Sequence, residues 1–196
     1  MRTRLVQFDI TPTGEVSREF LAHGLVHFRQ AAQFVKQLPY GRNTDRSDYR
    51  LVLSEGRGTC STKHALLASL CMEQQQHEVH LYTGIYEMTG SNTPGIGHIL
   101  RHYSLPSIPE AHCYLKYHQG RWDFTRVTGS CNDSPREFLD EIAIGPHQIG
   151  DFKVAYHRAY LPLWLSRHGL SQRFDTDALW TIREECIAAL SAPPVQ

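Results

Sequence analysis

Apolar positions recur along this chain with two different periods, and the switches between them mark out its elements. Residues 4–10 alternate, Leu5, Gln7 and Asp9 against Val6, Phe8 and Ile10, the period of a short strand, and TPTG then turns the chain. From Ser17, an N-cap residue type, Leu21, Leu25, Phe28, Ala32 and Val35 share one helical face until Pro39. That spacing predicts a single core-facing helix of about five or six turns. The stretch YGRNTDRSDYRLVLSEGRG, Tyr40 to Gly58, is too rich in Gly, Asn, Asp and Arg for a core element and predicts a loop of a length that is usually functional or disordered. A helix opening at Thr59 carries Ala65, Leu66, Ser69, Leu70 and Met72, and Lys63 to Leu70 is strong helix-forming sequence.

Further along, HEVHLYTGIYEM sets Val79, Leu81, Thr83 and Ile85 against His80, Tyr82, Gly84 and Tyr86, a strand, which TGSNTPGIG ends. AHCYLKYHQGRWDFTRV predicts a β-hairpin turning near Gln119 and Gly120. In SPRE, Ser134 as N-cap, Pro135 at N1 and Glu137 at N3 form a capping box that opens a short helix. Beyond Gly150 two helices are expected: Phe152 to His168, interrupted at Pro162, and Asp175 to Leu190, with Leu179, Ile182, Cys186, Ile187 and Leu190 on one face. The order of elements implies an α+β fold, with residues 1–150 as a core domain and 151–196 as a helical extension packed on it.

Composition narrows the partners. At 196 residues and 41% hydrophobic the chain can bury a core without staples. Lys+Arg and Asp+Glu both number 20 and the basic residues are scattered, which argues against nucleic acid or an anionic membrane as partner. The first residues lack a signal-peptide core, and no stretch approaches the roughly 18 to 20 apolar residues of a membrane span, so a cytoplasmic protein is expected. The five cysteines, Cys60, Cys71, Cys113, Cys131 and Cys186, are widely spaced with no C-x-x-C pair, unlike a disulfide framework or a zinc ribbon.

The candidate chemistry gathers at EGRGTCSTKH. A cysteine at a helix start meets unpaired N–H groups and the positive end of the helix dipole, which stabilise a thiolate. Cys60 has that setting, and Gly56 and Gly58 leave room beside it for a substrate carbonyl and oxyanion donors. A thiol nucleophile needs a histidine oriented by a third group. Of the twelve histidines, His112 stands out because it opens a strand of the predicted hairpin. Zinc is the competing chemistry, since Cys60 with His64, and His98 with His102, stand at i and i+4, but no further ligand has motif spacing. No calcium-loop pattern is present, and no cofactor is expected.

The order GRGTC followed by EAHCYLKYHQGRWDFT resembles the transglutaminase-like superfamily, whose fold is related to papain-like cysteine proteases. The shared pattern is G-x-C at a helix start, an H-[AVC]-[WY] strand, a short turn, and a strand bearing W and D-x-T. The resemblance runs over about residues 20 to 130 and implies a helix-borne cysteine packed on an antiparallel sheet. It implies Cys60 as nucleophile, His112 as general base and acid, and Asp123 as the group orienting the imidazole. Two positions depart from it: Tyr114 stands where Trp is frequent, and Trp122 directly precedes Asp123, where several residues usually intervene. Aligned on that Trp, the aspartate position falls near Arg126.

Hairpin register bears on Asp123. A two-residue Gln119-Gly120 turn pairs His112 with Val127 and leaves Asp123 roughly 13 Å along the strand. A four-residue loop, Tyr117 to Gly120, pairs His112 with Thr125 and puts Asp123 opposite Tyr114, diagonal to His112; this register is the expectation. Asn132 and Asp133 are alternative orienting groups. Tyr40 and Asn43, with Gly58, are the oxyanion and substrate-loop candidates. The expected function is thiol-dependent hydrolysis or acyl transfer at an amide or peptide carbonyl of a peptide, protein or small amide. A non-catalytic binding module of the same fold is the alternative, and a zinc-dependent protein the third.

Overall fold

The computed structural model describes residues 5–126, 135 and 137–190 and the backbone of Ser191. These residues form an α+β arrangement of seven α-helices and a four-stranded antiparallel sheet. The helices are α1 (Glu15–Ala22), α2 (Phe28–Gln37), α3 (Leu51–Ser54), α4 (Cys60–Glu73), α5 (Gly97–His102), α6 (Asp151–Arg167) and α7 (Thr176–Ser191). The strands are β1 (Val79–Met88), β2 (Ile108–Tyr117), β3 (Gly120–Trp122) and β4 (Asp140–Ile144), in sheet order β3, β2, β1, β4. Two compact units interleave along the chain. One comprises the described parts of Met1–Thr83, Cys113–Gly129 and Ile142–Gly150, the other those of Gly84–His112, Ser130–Glu141 and Asp151–Gln196. The segment after residue 150, read from the sequence as an extension, thus clusters with residues 84–112. None of the described helices is long and apolar enough to cross a membrane.

In the first unit, α4 is buried around its whole circumference, from Cys60 through Ala68 and again at Leu70 and Cys71. A helix without a solvent face needs neighbours on every side. Val16 and Phe20 of α1, Phe28, Ala31, Ala32 and Val35 of α2, and Val52 and Leu53 of α3 join its core. The single helix expected from Ser17 to Pro39 is two helices. The break is a Schellman cap: Gly24 takes φ +73°, its N–H reaches Leu21 O, and Leu25 N–H reaches Phe20 O. Glu73, at the end of α4, accepts the Val16 and Ser17 N–H groups at 2.9 and 2.7 Å and so caps the start of α1. Residues 5–10 form no strand. Asp9 makes an isolated antiparallel bridge to His27, and Phe8 stacks on Phe28, because the facing segment before α2 is too short for a ladder. Within the expected loop, Val52 and Leu53 form the buried side of α3.

The β2–β3 hairpin pairs Leu115 with Trp122, Lys116 with Arg121 and Tyr117 with Gly120. This is the expected line of pairing, but only His118 and Gln119 remain unpaired in the turn, and the ladder stops at Trp122. His118 carries the turn with φ +52°, a left-handed conformation that glycine adopts without a Cβ clash.

The second unit packs Ile85, Tyr86 and Met88 of β1 and Ile108 and Ala111 of β2 with Ile99 and Leu100 of α5, Trp164 and Leu165 of α6, and Leu179 and Ile182 of α7. β2 starts at Ile108, so His112 lies within the strand and does not open it. Phe138 lies against Gly84, where a Cβ would stand 2.4 Å from its ring. α6 runs unbroken through Pro162, which lies on its exposed side with Ala155, Ala159 and Leu163, while Tyr160, Leu161, Trp164 and Leu165 are buried. The strand β4 was not foreseen. Ser134, Asn132 and Asp133, and with them the expected capping box, lie outside the described residues, and Glu137 to Leu139 are not helical.

Buried charges tie β2 to α6 and α7. Arg183 grips Glu110 through Nε to Oε2 at 2.6 Å and Nη2 to Oε1 at 2.7 Å. Burial alone raises the Glu110 carboxyl, but the charge and hydrogen bonds of Arg183 outweigh it and the net shift is downward. Lys153 Nζ donates to Ala111 O at 2.7 Å, and His157 Nε2 donates to Pro109 O at 2.9 Å. Burial, with Arg183 and Lys153 adding and Glu110 opposing, lowers His157 to about 4.

Two outcomes follow for stability. Replacing His118 with Gly is expected to raise the unfolding free energy by up to about 1 kcal/mol in urea titrations, because the left-handed position no longer carries a Cβ. Below its ordinary value of 6.5 the unfolded chain protonates His157, whereas the native state resists until about 4. Stability is therefore lost as pH falls through that window, by about 3 kcal/mol for this group. His157→Gln, which can still donate to Pro109, should lack that part of the acid loss when unfolding is compared at about pH 7 and about pH 4.

Candidate active site

The first turn of α4 holds four buried polar side chains, Ser61, Thr62, Lys63 and His64, directly after the buried Cys60. Their partners organise the surrounding chain. Thr59 is the N-cap: its hydroxyl accepts the Thr62 N–H, and Thr62 Oγ1 accepts the Thr59 N–H at 3.0 Å. Thr62 then donates to Asn43 Oδ1 at 2.9 Å, and Asn43 Nδ2 donates to Glu55 Oε2 and Arg57 O, both at 3.0 Å. The Thr44 hydroxyl and N–H and the Asn43 amide hold the Glu55 carboxyl down at about 2. The 40–58 segment is thus fastened to α4 by polar contacts.

Gly58 is placed by packing. It bridges in parallel to Tyr40, and its N–H donates to Pro39 O at 3.2 Å. A Cβ there would lie 2.9 to 3.0 Å from Lys63, Thr62 and Val52. The Arg126 guanidinium lies 4.0 Å from the Tyr40 ring centroid.

Lys63 and His64 draw segment 123–125 onto the helix. Lys63 is fully buried, and Nζ donates to Leu38 O at 2.5 Å and Thr125 O at 2.8 Å. Burial, helped by Arg126 and opposed by Asp123 and Cys60, lowers it to about 8. His64 Nε2 accepts the Phe124 N–H at 2.8 Å, so in the neutral ring the proton sits on Nδ1, which donates to Cys60 O at 2.7 Å. Asp123 Oδ1 lies 3.6 Å from His64 Nε2 and accepts the Thr125 N–H at 2.8 Å. Within the first unit, His64 therefore stands between the Cys60 backbone and the Asp123 carboxylate. Sequence reasoning met His64 only as a zinc-ligand type and missed Lys63; four polar residues opening an otherwise apolar helix, STKH, were the available signal.

Cys60 occupies N1 of α4, with Sγ 3.9 Å from Ser61 Oγ. It is 8% exposed, whereas Cys71, Cys113 and Cys186 are at 0%. Burial raises the Cys71 thiol well above its ordinary value and pushes Cys186 up to about 11. In the second unit His112 is buried, with its ring edge-on to Tyr86 at 6.1 Å between centroids. Alternation along β2 puts His112 and Tyr114 on one face of the strand and Cys113 on the other. Two buried polar atoms flank Asp123 without a hydrogen-bond partner, Trp122 Nε1 and Thr125 Oγ1. Among the described residues no three His, Cys, Asp or Glu side chains gather to hold a metal ion, and His98 and His102 lie exposed on α5. No protein-family model, curated protein or solved structure matches the chain.

Because the ordinary Lys value of 10.5 falls to about 8 in the fold, the native state gives up the Lys63 proton first as pH rises. Its burial cost is present in full below pH 8 and relieved by 10.5, so this group adds about 3 kcal/mol of stability across that window. Lys63→Met should remove that rise when the two proteins are unfolded by denaturant at both ends of the range.

Proposed function

We propose that this protein is a thiol-dependent hydrolase or acyltransferase that acts on an amide or peptide carbonyl, with Cys60 as nucleophile. The observation that carries the reading is the setting of Cys60: first residue of a fourteen-residue helix and the one thiol with exposure among the four described. Helix N–H groups and the dipole stabilise a thiolate there. The resemblance to the transglutaminase-like superfamily belongs to the same reading and assigns His112 as general base and acid and Asp123 as its orienting group.

On the resemblance, His112 would take the Cys60 proton; the sulfur then attacks the carbonyl carbon, and the amine leaves with the returned proton. The thioester then passes its acyl group to water, or to a second amine. Gly58 N–H and the Asn43 amide are spent on Pro39 and on Glu55 and Arg57, so neither is open to serve as an oxyanion donor. The chemistry needs no cofactor.

The same commitments of Asn43 and Gly58 favour a second reading, a binding module that keeps the fold without catalysis. Alkylation by iodoacetamide from about pH 5 to about 9, followed per cysteine by mass spectrometry, separates the two. Catalysis predicts that Cys60 reacts at least about ten-fold faster than the other cysteines below neutral pH and loses that lead in His112→Ala. A Cys60 rate equal to that of the fully buried cysteines would leave the binding module as the surviving reading.

A further inference from the structure

The proposed chemistry uses one thiol, yet a second lies across a single hydroxyl from it. Cys113 Sγ donates to Ser61 Oγ at 3.6 Å, and the same oxygen lies 3.9 Å from Cys60 Sγ. The two sulfurs are therefore separated by no more than the sum of those distances. All three residues belong to the first unit, on α4 and β2. The pair is asymmetric: Cys60 has some exposure and the helix N-terminus, whereas Cys113 is fully enclosed.

That asymmetry is what a peroxide-responsive pair requires, an accessible thiolate that is oxidised first and a sheltered thiol that resolves it. The geometry points to Cys60 and Cys113 as a reversible thiol–disulfide couple that responds to hydroperoxides, with Ser61 as the positioning residue between them. In the first step the Cys60 thiolate attacks the terminal peroxide oxygen: an S–O bond forms, the O–O bond breaks, and the leaving alkoxide, or hydroxide from hydrogen peroxide, takes the proton that Cys60 gave up on ionising, which leaves the sulfenic acid and an alcohol or water. In the second, Cys113 sulfur attacks Cys60 sulfur: the S–S bond forms, the S–O bond breaks, and hydroxide leaves as water with the Cys113 proton. Cys113 already directs its S–H at Ser61, whose own proton can turn toward Cys60, so the hydroxyl lies on the path that proton takes. A dithiol reductant reverses the couple by exchange. Forming the bond requires the two sulfurs to close to about 2 Å, by rotation about χ1 between staggered wells.

The couple rests on the reactive Cys60 thiolate of the proposed function, but on neither His112 nor amide cleavage. The test treats the full chain with hydrogen peroxide, blocks free thiols with iodoacetamide and maps the peptides by mass spectrometry, with untreated protein alkylated in parallel. The expected result is a Cys60–Cys113 disulfide that dithiothreitol removes, with Cys60 sulfinic acid at least about ten-fold more abundant in Cys113→Ser, where no resolving thiol remains. Ser61→Ala should retain Cys60 oxidation and slow the disulfide step. Fast Cys60 alkylation with only sulfinic or sulfonic acid in the native protein would overturn the couple and spare the nucleophile. A Cys60 that neither alkylates nor oxidises would overturn both, and a disulfide to any other cysteine would overturn the pairing.

Discussion

A helix buried on all sides whose first turn is polar imposes a strict requirement on everything near it. Ser61, Thr62, Lys63 and His64 are buried, and each unpaired polar group in such a place costs about 1 to 3 kcal/mol, more if charged. The chain meets the requirement by bringing distant backbone to the helix. Leu38 and Thr125 present carbonyls to Lys63, Phe124 presents its N–H to His64, and Asn43 receives Thr62. The positions of the end of α2, the 40–58 segment and residues 123–125 follow from that demand.

The same demand explains why Cys60 is held so firmly. Its carbonyl accepts from His64, its neighbour Ser61 faces Cys113, and the N-cap before it is locked by Thr62. A nucleophile or redox thiol benefits from such a frame, because reacting groups lose efficiency with small misplacements.

The second unit solves a similar problem with charge. Glu110 on β2 is buried and survives as a carboxylate because Arg183 of α7 meets both of its oxygens. Such a pair adds little net stability over an apolar one, yet breaking it is costly, so it fixes which side chains of α7 face β2. His157 and Lys153 complete the set by donating to β2 carbonyls.

Much of the local structure was written in short windows of sequence. The start of α4 at Cys60, the β1 alternation, the β2–β3 hairpin and both C-terminal helices rest on caps, turn residues and periodicity that act within a few residues. The thiol at a helix start was legible for the same reason. Where a local signal was outvoted, as Gly24 was by the apolar spacing around it, one helix was read for two. What tertiary structure alone decided joins residues far apart: Phe124 on His64, Thr125 on Lys63, and Ser61 with Cys113, 52 positions away. Those meetings depend on how strands and loops dock on α4. Docking is set by the sum of burial and hydrogen-bond demands over the whole unit, which no window of sequence contains.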